Sequence, residues 1–514
     1  MKTCIVRKRM EPKASGSYNF DIQTPIGFGI PKCGICFYTN GSDNDAFDES
    51  SLDRVFGIGF FGYSYANPAT FTAYTSSIGF THNQLATSTL RKAVSGSNVS
   101  NRIAYEVRSD RNAIRQCNIN SVSQDKITVN LVWTNSATSY LDLIFVMFSG
   151  DDIQANIGLL TLGTTINSTA SATGLSYSPD AVFIMGAGFG FSNADADARL
   201  SFGCSTKHGG IKNSASLYRM RSNGFGVSGI STSVEQYISD NRSFIMYGGN
   251  LGVNTLQTAD VTAFNSDGFT MTSKTAFSTL TSGVIYLAIK GPVQDAFQLQ
   301  NFSSSTSTGI SAIATTTWIP SLILGALGSA TTTNALVSSN DSTGFTTFVA
   351  KSLSSKNNYG TGTISVSSGT TSVTGSGTGF SRFNVGDVIL SSANNQVGVI
   401  SEVVNSTSLF VKQNSSLTLS SDNFSFRPYE QFSVTIGSSH LSGSTKIASS
   451  VSESAIKIVK FGVNAGISTV IKGAIDNFES YPGFKINYNT VDASARKGWF
   501  LAVKDTELRR RDSN

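Results

Sequence analysis

Two cysteines close to the N-terminus have a spacing that could serve metal or redox chemistry. Cys33 and Cys36 form a C-x-x-C pair within the stretch "PKCGICFYT". A zinc site needs a second such pair, and a redox dithiol needs a helix that begins after the motif. Neither follows in the sequence. Residues three apart in a strand point to opposite faces, so the two thiols would not converge on one site, and we expect them to pack in the core.

A glycine pattern further along matches the fingerprint of dinucleotide-binding proteins. Residues Gly57–Gly62 read "GIGFFG", a literal G-x-G-x-x-G. Such a site requires a helix whose N-terminus holds the pyrophosphate. The residues that follow, "YSYANPAT", contain Pro68 and several aromatic residues, which argue against a helix. The pattern therefore indicates glycines in a tightly packed strand, and we expect no cofactor.

Two acidic stretches resemble the start of a calcium-binding loop. In "NADADA", Asn193, Asp195 and Asp197 alternate, but the sixth position is Ala198 and the twelfth is Cys204. An EF-hand loop has glycine and glutamate at those two positions. The stretch "SDNDAFDE" likewise puts Arg54 where that glutamate belongs. We expect solvated loops and no metal, with a weak calcium site built from one loop and its neighbours as the alternative.

The remaining candidate residues do not form a recognisable catalytic set. The three histidines lie in separate regions, at His82, His208 and His440, and no G-x-S-x-G elbow accompanies them. Three tryptophans fall in apparent strands, where core packing is expected and a sugar-stacking platform is the alternative: Trp133, Trp318 and Trp499. The sequence therefore predicts a protein that is not an enzyme and has no catalytic residues.

The elements that must position all these residues are β-strands. Apolar or alternating runs of four to eight residues recur between turn dipeptides such as Asn40-Gly41 and Asp267-Gly268, and helical periodicity is almost absent. Charged residues are only 14% of the chain. The prediction is an all-β protein of antiparallel β-sandwich, jelly-roll-like modules. The most apolar run, Leu141–Phe148, carries Asp142 and is too short to span a bilayer.

The chain repeats itself. Three apolar strands follow a proline, at Pro31, Pro179 and Pro320, and three similar closing strands end at Gly150, Gly291 and Asp505. The third interval is longer than the others by about one small domain. A Gly-Ser-Thr-rich stretch inside it, residues 359–430, accounts for the excess as an inserted β-domain. We expect short linkers between the modules near residues 151–178 and 292–317.

These observations divide the chain into six segments. The predicted segments are a basic N-terminal arm (1–16), β-module 1 (17–150), β-module 2 (151–292), β-module 3 (293–505) interrupted by an inserted barrel-like domain (359–430), and a basic C-terminal tail (506–514).

Basic residues cluster at both ends of a chain whose net charge is only +5. A run of like charge is either a solvated tail or a tether that docks on an acidic partner. The candidate docking residues are Arg7, Lys8, Arg9, Arg509, Arg510 and Arg511. A net charge this small, spread over this length, does not predict a nucleic-acid-binding face.

The repeat motifs also carry a resemblance to a known class of proteins. The pattern "SPDAVFIMGAG" followed by "SDGFTMT" and "VIYLAIKG" resembles repeat modules of bacteriophage virion proteins in tails, fibres and head exteriors. The inserted "GTISVSSGTTSVTGSGTGFSRFNVGDVIL" is similar to a small β-barrel-like unit of phage tail and appendage proteins. Module 1 departs most, since "SQDKITV" replaces "SDGFTMT".

The resemblance implies a non-enzymatic virion component, assembled in the host cytoplasm, that docks on neighbouring virion subunits. Such proteins are usually homo-oligomers, and a trimer is the favoured state. The implied alternatives are a receptor- or carbohydrate-binding adhesin and a depolymerase of host glycan. No cofactor, membrane span or specific nucleic acid is implied.

Overall fold

The computed structural model describes most of the chain. It omits residues 11–13, 26, 41–52, 68, 83–90, 108–112, 135–139, 188–197, 209–210, 222–233, 248–255, 278–280, 294, 315–317, 319, 329, 340–342, 352–357, 381–382, 384–387, 394, 412, 428–430, 442–443, 453–455, 462–466, 478–482 and 505–514. The described residues form strands and turns without an α-helix, which confirms the predicted all-β class. No helix in this part of the chain could therefore cross a bilayer.

Most strands belong to three units of the same design, which we call modules 1, 2 and 3. Module 1 contains β1 (Lys2–Met10), β2 (Gly16–Gln23), β3 (Pro31–Thr39), β4 (Asp53–Ser64), β5 (Phe71–His82), β6 (Arg91–Asn98), β7 (Arg102–Val107), β8 (Ala113–Ser123), β9 (Lys126–Trp133) and β10 (Leu141–Ser149). Module 2 contains β11 (Gln154–Leu162), β12 (Thr169–Thr173), β13 (Ala181–Gly186), β14 (Ala198–His208), β15 (Ile211–Arg221), β16 (Val234–Ser239), β17 (Phe244–Tyr247), β18 (Leu256–Asn265), β19 (Gly268–Thr275) and β20 (Ser282–Lys290).

Module 3 has the same elements with one additional strand and one insertion. It contains β21 (Phe297–Ser303), β22 (Gly309–Ala314), β23 (Leu322–Gly328), β24 (Leu336–Ser339), β25 (Thr343–Lys351), β32 (Gln431–Leu441), β33 (Ser444–Ser452), β34 (Ile456–Phe461), β35 (Ile467–Asn477), β36 (Gly483–Thr490) and β37 (Lys497–Val503). Between β25 and β32 lie β26 (Asn358–Val366), β27 (Ser372–Ser376), β28 (Val388–Ser391), β29 (Gln396–Asn405), β30 (Ser408–Val411) and β31 (Leu419–Arg427), which close into a barrel.

The strand order is the same in all three modules. The larger sheet runs β1-β10-β3-β4-β5-β6 in module 1, β11-β20-β13-β14-β15-β16 in module 2 and β21-β37-β23-β25-β32-β33 in module 3. The smaller sheets run β2-β9-β8-β7, β12-β19-β18-β17 and β22-β36-β35-β34. In each module the first strand of the chain therefore pairs with the last, which brings the ends of the module together.

The prolines that begin the repeats occupy corresponding places. The residue two positions after each proline pairs with the closing strand at the same point: Cys33 with Phe148, Ala181 with Ile289, and Leu322 with Val503. Proline fits at the start of a strand because no ladder hydrogen bond is required of it there.

Each module has its own hydrophobic core between its larger and smaller sheets. In module 1 this core includes Phe145 of β10 and Leu131 of β9, and in module 2 it includes Tyr286 of β20 and Phe269 of β19. The barrel has a separate core around Phe380 and Phe424. In the part of the chain that the structure describes, the principal contacts of the barrel strands are with one another.

The other face of each larger sheet is also buried, in one core that all three modules share. Val146, Leu287 and Leu501 are at corresponding positions of the three closing strands, and all three lie in this shared core with no exposed surface. Each closing strand is therefore apolar on both faces, which explains the unbroken hydrophobic runs in the sequence.

Aromatic contacts join every pair of modules across the shared core. Phe60 lies against Phe183 with ring centroids 6.4 Å apart, Phe202 against Trp499 at 5.1 Å, and Phe148 against Phe297 at 6.5 Å.

The backbone follows the same cyclic pattern. The fourth strand of each larger sheet lies beside the first strand of the next module: β4 beside β11, β14 beside β21, and β25 beside β1. The modules thus form a closed ring with approximate threefold equivalence within one chain.

The expected linkers between modules are not present. Residues 151–178 contain β11 and β12, and residues 292–317 contain β21 and β22. These strands are integral to the sheets because the first strand of each module pairs with its closing strand. The prediction of linkers in these two ranges was wrong, because the strand that each first strand pairs with is remote in sequence and local patterns do not reveal it.

Candidate functional site

A polar cleft lies between modules 2 and 3. It has a volume of about 280 Å³. Its lining residues come from the start of β15, the turn after β16, and four consecutive positions of β21: Asn213, Ser214, Asp240, Gln298, Leu299, Gln300 and Asn301. Of these described lining residues, four carry an amide, one a carboxylate and one a hydroxyl, and none of the seven is basic.

The equivalent strand contacts between modules are not all paired. Between modules 1 and 2, β4 and β11 pair in parallel, with Asn156 opposite Tyr63 and Ile157 opposite Ser64. Between modules 2 and 3, β14 and β21 lie side by side without a described backbone ladder, and β24 of module 3 instead pairs with β16 of module 2. The edge of β21 that points away from β37 therefore faces the cleft.

Asp240 is fixed at the boundary of the two modules. Its carboxylate accepts hydrogen bonds from the Oγ1 of Thr333, at 3.2 Å, and from the Nδ2 of Asn334, both in module 3. Its backbone oxygen accepts from the Nδ2 of Asn301 at 3.4 Å. The opposite wall is also held, since Ser214 Oγ lies 2.7 Å from Ser205 Oγ.

The basic N-terminal residues are not a free arm. Residues 2–10 form β1, which pairs with β10 along its whole length. Arg7 is buried, and its Nη2 donates to Asp142 Oδ1 at 3.0 Å, where the carboxylate is also buried. The guanidinium of Arg7 also lies 6.0 Å from the ring centre of Phe432, in module 3. A buried ion pair cannot dock on an external partner, so the prediction of an N-terminal arm is corrected for Arg7.

The two neighbouring basic residues are partly buried. Burial lowers the pKa of Lys8, and the nearby Asp21 opposes this effect. The guanidinium of Arg9 lies 3.8 Å from the ring centre of Tyr140. Arg509, Arg510 and Arg511 lie outside the described residues, and their docking role stays a prediction.

The cysteines are buried, as expected. Cys33 belongs to the shared core and Cys36 to the core of module 1, so the C-x-x-C pair points to opposite faces of β3. Burial raises the pKa of Cys33 and Cys36, and raises that of Cys117 to about 12. The thiolate, which is the reactive form, is therefore suppressed at neutral pH.

The glycine motif lies within β4, as predicted. A β-carbon on Gly57 would come within 2.0 Å of the Tyr38 ring, and one on Gly59 within 2.0 Å of the Ile103 carbonyl oxygen. These glycines permit close packing of the strand against its neighbours.

The histidines and tryptophans are dispersed. His82 and His440 lie in β5 and β32, and His208 ends β14 with its Nδ1 3.6 Å from Asp295 Oδ1. The tryptophans are buried, and Trp499 lies in the shared core, so the alternative of a tryptophan sugar platform is not supported. Within the described residues no cluster of three His, Cys, Asp or Glu side chains could hold a metal ion. The acidic stretches "SDNDAFDE" and "NADAD" lie outside those residues.

The sequence reasoning missed the amides of the cleft. The signal was present in β21, where "FQLQNFS" alternates apolar residues with Gln298 and Gln300. An alternating strand usually has one face in solvent, so this pattern did not indicate an interface between modules.

Comparison with known proteins identifies no relative. No protein-family model matches the chain, and neither the curated proteins nor the solved structures contain a significant match.

Proposed function

We propose that the protein is a non-enzymatic structural component of a bacteriophage virion, of the tail, fibre or capsid-exterior type. The observation that carries the proposal is the shared core, in which three modules of equal strand order are locked around one apolar interior. A core that joins the described strands of all three modules can hold a fixed surface towards neighbouring subunits.

The inserted barrel is the part best suited to outward presentation. It has its own core, and the strands of module 3 that flank it are adjacent, since Ala350 of β25 pairs with Gln431 of β32. Insertions of this kind are accepted where the ends of the guest lie close together. We propose that the barrel and the polar loops face outward while the body docks on other virion proteins.

Docking and assembly follow the same proposal. The C-terminal Arg509, Arg510 and Arg511 remain the candidate contacts to neighbouring subunits, and a homo-oligomer remains the proposed state. The shared core is closed within the chain, so oligomerisation is not required to bury it.

Purified particles provide the test. Quantitative mass spectrometry of particles from the culture that encodes the chain should find the protein at a constant ratio to the major capsid protein through successive gradients. Replacement of the three C-terminal arginines by alanine should reduce that ratio, while replacement of residues 359–430 by a short Gly-Ser linker should preserve it. Wild-type protein that stays in the soluble lysate fraction would refute the virion role.

A second candidate function is a receptor- or carbohydrate-binding adhesin of the virion, and the polar cleft between modules 2 and 3 favours it. The depolymerase alternative requires two carboxylates in one cleft. Among the described lining residues, Asp240 is the single carboxylate.

A further inference from the structure

We infer that residues 330–339 of module 3, which we call the strap, act as a latch that docks on the edge of module 2. Release of the strap opens the boundary between these two modules before the rest of the ring. The strap lies between β23 and β25 in the chain and contains β24. The inference goes beyond the proposed virion role, because it concerns a motion within one chain.

The strap does not belong to the sheets of its own module. β23 pairs directly with β25, and Gly328 at the end of β23 lies opposite Phe345. Among the described strands, the partner of β24 is β16 of module 2, with Tyr237 opposite Leu336. β16 is the last strand of the larger sheet of module 2. β24 therefore covers an edge that would otherwise present unpaired backbone groups.

Asn334 joins the strap to the turn that follows β16. Its backbone N–H donates to the Ile238 oxygen at 2.7 Å. Its side-chain oxygen accepts from Ser239 Oγ at 2.9 Å and from the Asp240 N–H at 3.4 Å, and its Nδ2 donates to the Asp240 carboxylate. Its φ of 57° lies in the left-handed region, which asparagine tolerates better than most residues. A single residue thus makes the main polar contact of the strap with module 2.

The strap can be released without opening the shared core. Ala330 at its start is buried in that core, and its carbonyl oxygen accepts from the Lys497 N–H at 2.9 Å. Four of the described side chains that follow are exposed: Thr331, Thr332, Asn334 and Ala335. Segments held by exposed hydrogen bonds and few apolar contacts open at the lowest free energy. Release therefore exposes the edge of β16 while Ala330 stays in place.

The boundary between modules 1 and 2 is built differently. There the larger sheets are continuous, because β4 pairs with β11 in parallel. Tyr65 extends this junction, since its N–H donates to the Ile157 oxygen at 2.8 Å. At the boundary of modules 2 and 3, the described backbone ladder between modules runs through the strap. Release of the strap should therefore loosen this boundary and leave the boundary of modules 1 and 2 closed.

The experiment is amide hydrogen exchange of the full chain with Asn334→Gly. Glycine adopts the left-handed backbone freely, so the substitution removes the side-chain bonds without backbone strain. The variant loses the side-chain hydrogen bonds to Ser239 and Asp240. We expect exchange in β24 and in the paired part of β16 to accelerate by about tenfold. Exchange in β3, β4, β10 and β11 should stay within about twofold of wild type.

Asn101→Gly is the matched control. Asn101 has a φ of 56°, and its Nδ2 donates to the Ile119 oxygen within module 1 at 2.9 Å. This variant should leave exchange in β16 and β24 unchanged. If Asn334→Gly does not fold, Thr333→Val gives the same test, because it deletes the hydrogen bond from Thr333 Oγ1 to Asp240 and preserves the side-chain shape. It should accelerate exchange in β24 by about threefold.

Replacement of residues 331–339 by a short Gly-Ser linker removes the strap itself. Because Gly328 and Phe345 are paired, a short turn can join β23 to β25. Exchange in β37 should stay as in wild type, and exchange in β16 should be faster than in Asn334→Gly.

Three results would overturn the inference. The first is unchanged exchange in β16 and β24 in the folded Asn334→Gly or Thr333→Val variant, or in β16 after removal of the strap. The second is equal acceleration in all three modules, which would indicate global unfolding. The third is an equal effect of Asn101→Gly on β16.

Discussion

Leu287→Ala tests whether the three modules form one cooperative body. Leu287 lies in the middle of β20, has no exposed surface and belongs to the shared core. Its neighbours in the adjacent strands are Ile157 and Phe183. The substitution leaves a cavity in the shared core, which contains residues of all three modules.

The magnitude follows from complete burial. Leucine-to-alanine changes at such positions cost about 3–5 kcal/mol. If the body unfolds as one unit of about 440 residues, its unfolding entropy is about 0.9 kcal/mol/K, and a loss of about 4 kcal/mol lowers Tm by about 4 °C. If module 2 unfolded alone, as a unit of about 140 residues, the same loss would lower its Tm by about 14 °C.

Calorimetry and hydrogen exchange measure the effect. We expect one main transition for the body, displaced by a few degrees, and faster exchange in β1, β10, β21 and β37 as well as in module 2. The control is Leu409→Ala, in the separate core of the barrel. This substitution should lower the Tm of the barrel's own transition and leave hydrogen exchange in the three modules unchanged.

One result would refute the reasoning. A large fall in Tm for a fraction of the protein, with accelerated exchange confined to β11–β20, would mean that the modules unfold independently and that the shared core does not couple them.

Three further outcomes are expected. Asp142→Asn should destabilise the protein by about 3–5 kcal/mol in urea titrations, because it leaves Arg7 buried without its carboxylate; a loss below about 1 kcal/mol would contradict a buried ion pair. The hydrogen bond from Thr128 is the main cause of the lowered pKa of Asp21, so this carboxylate contributes stability above the ordinary aspartate pKa and loses it as the pH falls through the folded-state value. Thr128→Val should therefore raise the Asp21 pKa in carboxyl-detected NMR titrations, and an unchanged titration would count against the contact. The native thiols, with the pKa of Cys117 raised to about 12, should resist Ellman's reagent at pH 8 and react on unfolding; fast reaction of the native protein would show that they are accessible.

Much of the strand content could be predicted from sequence, for a local reason. Alternation in "KITVNLVW" requires only that one face of a strand be buried, and β9 shows this pattern of burial. The doubly buried strand was visible in "LIFVMF", because both faces of β10 are apolar. The Gly-Ser-Thr-rich residues 359–430 contain almost all of the closed barrel. Small polar residues at alternate positions of its strands leave the outer face in water.

The candidate site was not predictable in the same way. Gln298 and Asn213 are separated by a long stretch of chain and face one cleft because two modules meet there. Arg7 appeared as part of a basic run, and its partner Asp142 appeared as an isolated charge in an apolar strand. Only the pairing of β1 with β10 brings these two charges together.

The sequence by itself determined the all-β class, because strand periodicity and turn residues are local properties of the chain. It also marked the corresponding prolines, since each precedes an apolar strand. The tertiary structure alone decided that the second faces of the three larger sheets cover one another, because burial of a face depends on a partner remote in sequence. That packing turns the expected linkers into strands, buries Arg7, and leaves at one interface between modules the polar cleft that local patterns could not predict.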